Sequence, residues 1–288
     1  WMLRGYTREA QYWYREVLNA TDVADEYRWI LLAGLANMSQ FLGDLQGARD
    51  AYKSSLAVCK RLGDPRFIAQ ATRGVAGISY LLGDLEAAQS QSLDAIRIST
   101  GAGDDFGVAA ASARLGDIAL VQDRASDALF HGARALEIFR RLEFMPGVAS
   151  KLMNLGMASI ADGDATAARE YLTESLQIAN EIGDYITTRL ALEGIVFVLF
   201  EEGRQRDAAR VSGAAFRIGD EIEHVLEPAE SRMRELYLTK LKESLGARVF
   251  SQEFEYGLTL DHADVLDYVT NHVVEAPLGR VRLITARE

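Results

Sequence analysis

Histidine, cysteine and glycine-rich loops are where catalytic or metal chemistry would first show in this chain. The four histidines, His131, His224, His262 and His272, are scattered, and no two stand at metal-ligand spacing. Cys59 is the only cysteine, which excludes an internal disulfide framework and a thiolate metal cluster. It sits between Val58 and Lys60 with no base nearby in sequence, the setting of a structural thiol rather than a nucleophile. Gly101 to Gly107 reads Gly-Ala-Gly-Asp-Asp-Phe-Gly, but a phosphate loop needs a preceding strand and a Gly-Lys-Ser/Thr ending. The segment reads instead as a connection between helices. No Gly-x-Ser-x-Gly nucleophile motif occurs. The acidic pairs Asp104-Asp105 and Glu201-Glu202 read as solvated helix ends. We therefore expect no catalytic residue, no metal and no cofactor in this chain, and no enzyme activity.

Charge and hydropathy narrow the remaining classes. With 31 Lys+Arg against 42 Asp+Glu, the net charge is −11. Such a surface repels phosphates, so direct binding of nucleic acid is not expected. Apolar runs such as Gly194 to Phe200 are far too short to span a bilayer. No charged head followed by an apolar block marks a signal peptide, so the expected location is cytoplasmic. The first residue is Trp1 rather than Met, as in a piece of a longer protein.

What the sequence offers instead of chemistry is a period. Gly-Asp occurs at 43–44, 83–84 and 163–164, and again at 63–64, 103–104 and 183–184. Both series step by forty or a multiple of it. At the other expected junctions stand Asp123-Arg124, Gly203-Arg204 and the degenerate Glu143-Phe144. Glycine suits the left-handed end of one helix and aspartate the cap of the next. Five residues after each mid-repeat junction comes Ala48, Ala88, Ala128, Ala168 or Ala208, and seven further on Ser55, Ala95, Ala135, Ser175 or Ala215. In the preceding helix Ala36, Ala76, Gly116 and Gly156 share one phase, broken by Val196. Small residues at fixed points let paired helices cross closely. The spacing is helical throughout, so no strand is expected.

Small residues at these positions of a helix-turn-helix unit make the chain resemble the tetratricopeptide repeat, in a variant with longer helices. The resemblance implies an all-α, right-handed superhelix of about 40-residue repeats with C-terminal capping helices. The expected organisation is a repeat array over 1–222, made of a half repeat at 5–18 and five repeats over 22–222. Capping helices follow over 223–270, with Asp261 starting the last of them, and 271–288 is a linker or tail.

The segments LEGIVFVLFEEGRQRDAARVSGAAFRIGDEI and LGARVFSQEFEYGLTLDHADVLDYV, with the opening WMLRGYTREAQYWYREVL, resemble the repeat region of large bacterial STAND-type ATPase regulators. The final Ile284-Thr285-Ala286-Arg287-Glu288 is similar to the start of a LuxR-type helix-turn-helix domain. This resemblance implies a sensor or interaction domain of a multidomain transcriptional regulator. Its neighbours in the parent chain would be an ATPase module and a DNA-binding domain. A free-standing adaptor and a peptide-responsive receptor domain are the alternatives.

In such arrays the first helix of each pair lines a concave wall. By phase, the wall-facing positions include Asn37, Arg73, Tyr80, Arg114, Asp117 and Asn154. These would bind a protein or peptide segment, because Asn and Arg hydrogen-bond a peptide backbone or carboxylate and Tyr offers an amphipathic surface. Further along, Met153, Met157, Phe197 and Phe200 either continue the wall as an apolar stretch or pack between repeats.

Overall fold

The computed structural model describes residues 7–20, 22–222 and 228–274. The expected start of the half repeat at Gly5, most of the expected linker and the terminal Ile284–Glu288 motif lie outside them. After α1 (Thr7–Ala20), ten helices follow the forty-residue period in pairs: α2 (Asp25–Phe41) and α3 (Leu45–Leu62), α4 (Pro65–Leu81) and α5 (Leu85–Gly101), α6 (Asp105–Val121) and α7 (Ala125–Arg141), α8 (Met145–Asp162) and α9 (Ala165–Glu181), α10 (Tyr185–Glu201) and α11 (Gln205–Glu221). Then come α12 (Pro228–Leu245), α13 (Ala247–Thr259), α14 (His262–Val269) and a π-helical turn at Thr270–Val274. No strand occurs among the described residues.

The junction chemistry works as the sequence suggests. Asp44, Asp104 and Asp164 each accept a hydrogen bond at 2.9 Å from the backbone N–H three residues on, satisfying one of the unpaired donors of a helix start. Asp261 caps α14 by accepting from the N–H groups of Ala263 and Asp264, both at 2.9 Å. Where the Gly-Asp signal fails, the turn persists: Asp123 and Glu143 take φ of 55° and 52°, close to the 64° of Gly103. Both residues are exposed, and at Glu143 local backbone bonds close the turn, with the Glu143 N–H donating to the Arg140 carbonyl and the Phe144 N–H to the Phe139 carbonyl, each at 3.0 Å.

The chain forms two compact units, 1–122 and 123–288. In the first, Ala36, Ala48 and Ala88 are fully buried or nearly so. The rings of Tyr14 and Tyr52 lie where a Cβ on Gly34 or Gly74 would stand, so a glycine in one helix admits an aromatic ring from the one before it. Trp29 stacks on Phe67 with ring centroids 4.5 Å apart. The Ser55 hydroxyl donates to the Trp29 carbonyl at 2.8 Å, tying α3 to α2. Cys59 is buried beside Val58, and burial pushes its thiol pKa up, as befits a structural cysteine.

In the second unit the core runs through Leu172, Leu176, Leu192, Ile195, Leu199 and Ile218, joined by Leu241, Val265 and Val269 from α12 and α14. Each fully buried aliphatic side chain of this kind contributes about 1.5–3 kcal/mol. Ser175 repeats the role of Ser55, donating to the Ala149 carbonyl at 2.8 Å. α13 packs on α11, and α14 touches both α9 and α11.

One expectation about the acidic pairs is corrected here. Glu202 is not solvated: it pairs with Arg169, and the two side chains are 3% and 9% exposed. Its position at the end of α10 suggests solvent, but α9 runs alongside and delivers the arginine. Asp104 also departs from the solvated reading, since it caps α6 and receives a side chain from α4.

Candidate ligand groove of the first unit

Arg73 and Tyr80 stand seven residues apart on α4, two turns along one face. Arg114 and Asp117 stand on α6 one turn apart. Both helices are the first of their pairs, which brings four of the six expected wall residues to one place.

Arg73 donates from one Nη to Asp104 at 3.3 Å, and its guanidinium lies 5.8 Å from the centre of the Phe106 ring. It is therefore not an ordinary surface charge; its side chain is only 17% exposed. Burial lowers its pKa, opposed by the Asp104 carboxylate beside it. The group stays protonated at any physiological pH, so the consequence is a poorly hydrated cation. Arg114 lies 4.7 Å over the Tyr80 ring, a cation–π geometry, and donates to Asp117 at 3.4 Å.

Between the two guanidiniums is a cavity of about 130 Å³, lined by Arg73, Ala76, Ser92, Ala110, Ala111 and Arg114. Asp104 and Asp117 pair with the arginines and are not in the lining. The alanines keep the space open, since larger side chains at these positions would fill it.

Asn37 and Asn154 are not among the lining residues. Asn37 is exposed on α2, and its Oδ1 accepts from the Tyr52 hydroxyl at 2.6 Å. Burial pushes the Tyr52 phenol pKa up, so the hydroxyl remains a donor. Asn154 lies on α8 of the second unit. There the apolar stretch is largely used in packing. Phe197 and Phe200 meet Tyr237 of α12 with centroids 4.4 and 5.7 Å apart, and Met153 packs on the core.

Sequence reasoning did not anticipate the role of Asp104 or the alanine walls. Asp104 carries the signal of a helix cap, and only its position one repeat beyond Arg73 hints at a second partner. Among the described residues, no group of three or more His, Cys, Asp or Glu side chains could hold a metal ion, and no helix is long and apolar enough to cross a membrane.

Helix pairs of fixed length, small residues at each crossing and polar side chains on the first helices define a tetratricopeptide-repeat scaffold. The chain belongs to the MalT-like TPR region family, whose model matches residues 1–212. No curated protein matches it. Among solved structures it is similar to a Signal Transduction ATPase with Numerous Domains (STAND) protein with a tetratricopeptide repeat sensor from Pyrococcus horikoshii. That pair shares 15% identity and a TM-score of 0.65, over 92% of this chain and 41% of the other. BtubC (BKLC) from P. vanneervenii aligns with 21% identity and a TM-score of 0.62, over 77% of this chain and 92% of its own. A Rap protein in complex with Competence and Sporulation Factor aligns with 18% identity and a TM-score of 0.58, over 89% and 79%. At these identities the likeness shows the fold. Such folds are interaction scaffolds that serve many pathways, so function must be argued from the site.

Proposed function

We propose that this chain is the sensor domain of a multidomain transcriptional regulator and binds a peptide or partner segment along the first-helix wall of its repeats. Arg73, Tyr80, Arg114 and Asp117 carry the contact, with Asn37 as an outlying member in the first unit and Asn154 as a separate candidate in the second. The observation behind this reading is the pair of partly desolvated guanidiniums flanking an open cavity in a chain of the MalT-like TPR region family. In this reading 1–222 is the array, α12 to α14 cap it, and 271–288 leads to a LuxR-type DNA-binding domain, with a STAND-type ATPase module elsewhere in the parent protein. It acts in the cytoplasm, makes no direct contact with nucleic acid or membrane, and performs no catalysis. Ligand binding shifts an on/off equilibrium by its differential affinity for the two states.

A second reading, a peptide-responsive receptor domain, draws on the likeness to the Rap protein solved with its factor. A free-standing adaptor is the third. The test is to pan the chain against a displayed random-peptide library and measure the selected peptides against Arg73→Ala with Arg114→Ala. The reading expects affinity to fall tenfold or more, about 1.4 kcal/mol, with the helical spectrum intact. Selected peptides that bind the folded double variant as tightly as the parent chain would place the ligand elsewhere.

A further inference from the structure

The cavity between α4, α5 and α6 has a composition that says more about its occupant. Its six lining residues include two cations and no anion. Among the described residues, each guanidinium gives one long hydrogen bond, from a single Nη nitrogen, to Asp104 at 3.3 Å or Asp117 at 3.4 Å. A guanidinium presents five N–H donors in a planar fork that fits a carboxylate edge-on. Ser92 adds no donor, because its hydroxyl is spent on the Ala88 carbonyl at 2.7 Å. The three alanines supply apolar lining beside the two cations.

We infer that this cavity receives a carboxylate carried by a peptide, held between Arg73 and Arg114. This deepens the proposed sensor function and rests on it for the peptide, though not for the carboxylate. Size supports the assignment: a cavity of about 150 Å³ admits benzene, so about 130 Å³ suits a carboxyl group with one or two methylenes. Charge supports it too. Asp104 and Asp117 offset the two arginines, so the cluster is formally neutral when empty and tolerates a monoanion better than a dianion. The chain's net charge of −11 further disfavours phosphate-rich ligands. Burial of Arg73 means that its unused donors lack full hydration, and an incoming carboxylate restores partners to them.

Two sources present this group: an Asp or Glu side chain, and a peptide C-terminus. The first experiment titrates the chain, isotope-labelled at arginine, with butyrate and with the neutral isostere butyramide. It reads the Nε–H signals of Arg73 and Arg114. Butyrate produces saturable shifts of both, while butyramide and matched chloride do not. Ala110→Leu, which fills the cavity without altering charge, removes the response. Should that variant fail to fold, Arg114→Gln serves instead, read at the Arg73 signal.

The second experiment uses the panned peptides, each made with Glu or Asp replaced by its amide and, separately, with an amidated C-terminus. A tenfold loss on the first change identifies a side chain as occupant, and on the second a C-terminus. No saturable shift with butyrate, or an equal shift with chloride, overturns the carboxylate site. Peptides that bind regardless of any carboxylate also overturn it, while the sensor reading stands. Butyrate seated in the cavity with no peptide captured leaves the site intact and removes the peptide reading.

Discussion

Gly213 of α11 and Gly257 of α13 face each other so closely that a Cβ on either would stand 3.0 Å from the Cα of the other. A Cβ on Gly213 would also run into the Phe254 carbonyl, and one on Gly257 into the Arg210 carbonyl. The obstacle is backbone on both sides, which cannot swing aside as a side chain can. The two helices therefore cross at the distance that hydrogen atoms alone permit.

Alanine at either glycine tests this crossing. In an exposed helix Gly→Ala stabilises by about 1 kcal/mol. Here Gly213→Ala and Gly257→Ala should each destabilise by about 1–3 kcal/mol, the range for overpacking. Chemical denaturation gives the sign, and limited proteolysis within α13 shows whether that helix is what loosens. A stability gain for both variants would mean that the helices sit further apart.

Glu143 occupies a left-handed turn at φ 52° that Gly63, Gly103 and Gly183 fill in its own forty-residue series. A non-glycine residue pays about 1–2 kcal/mol there, while glycine adds about 0.4–1 kcal/mol of unfolded-state entropy. Glu143→Gly should thus raise stability by about 0.5–1 kcal/mol, read as a higher denaturant midpoint with unchanged slope. Unaltered or lower stability would show that the Glu143 side chain supplies a compensating contact.

The Arg169–Glu202 pair is buried at both ends. Removing one partner of such a pair leaves a buried charge and costs about 3–5 kcal/mol. Arg169→Met and Glu202→Leu, each alone, should therefore destabilise strongly. Arg169→Met with Glu202→Leu should recover most of the loss, because no stranded charge remains. The double-mutant cycle decides the matter: additive losses would show that the two groups act independently.

Tyr268 links α14 to α11. Its hydroxyl donates to Asp207 at 2.5 Å and accepts from Arg210 at 3.0 Å. Burial first, and the bond to Asp207 second, push its pKa up to about 12 from 10.0. The folded chain keeps this proton at pH values where the unfolded chain has lost it. The contribution is full below pH 10 and is lost as pH rises towards 12. Tyr268→Phe should flatten the stability profile in that window. At neutral pH it should cost about 1–3 kcal/mol, because Asp207 loses a buried donor. An unchanged alkaline slope in the variant would remove Tyr268 as the titrating group.

The sequence by itself determined the helical class, the forty-residue period, the paired helices and most of their ends. Those features are local: a Gly-Asp junction closes one helix and caps the next with backbone groups a few residues away, and an alanine at each crossing excludes bulk wherever the partner helix comes from. It also brought Arg73, Tyr80, Arg114 and Asp117 to notice, because a repeat phase maps directly onto one face of the array.

Only the tertiary structure decided which of these residues meet. Arg73 reaches Asp104, thirty-one residues away, and Arg169 reaches Glu202, thirty-three away. Such pairings depend on side-chain reach and helix crossing, which no one-dimensional pattern contains. The contacts of half-buried Phe197 and Phe200 with Tyr237 depend on α12, a helix outside the repeat pattern. The cavity lined by the two arginines depends on what is missing: three alanines, unremarkable in a chain rich in them, happen to line the same space. A void has no residue to announce it, so its position becomes visible only once the helices are packed.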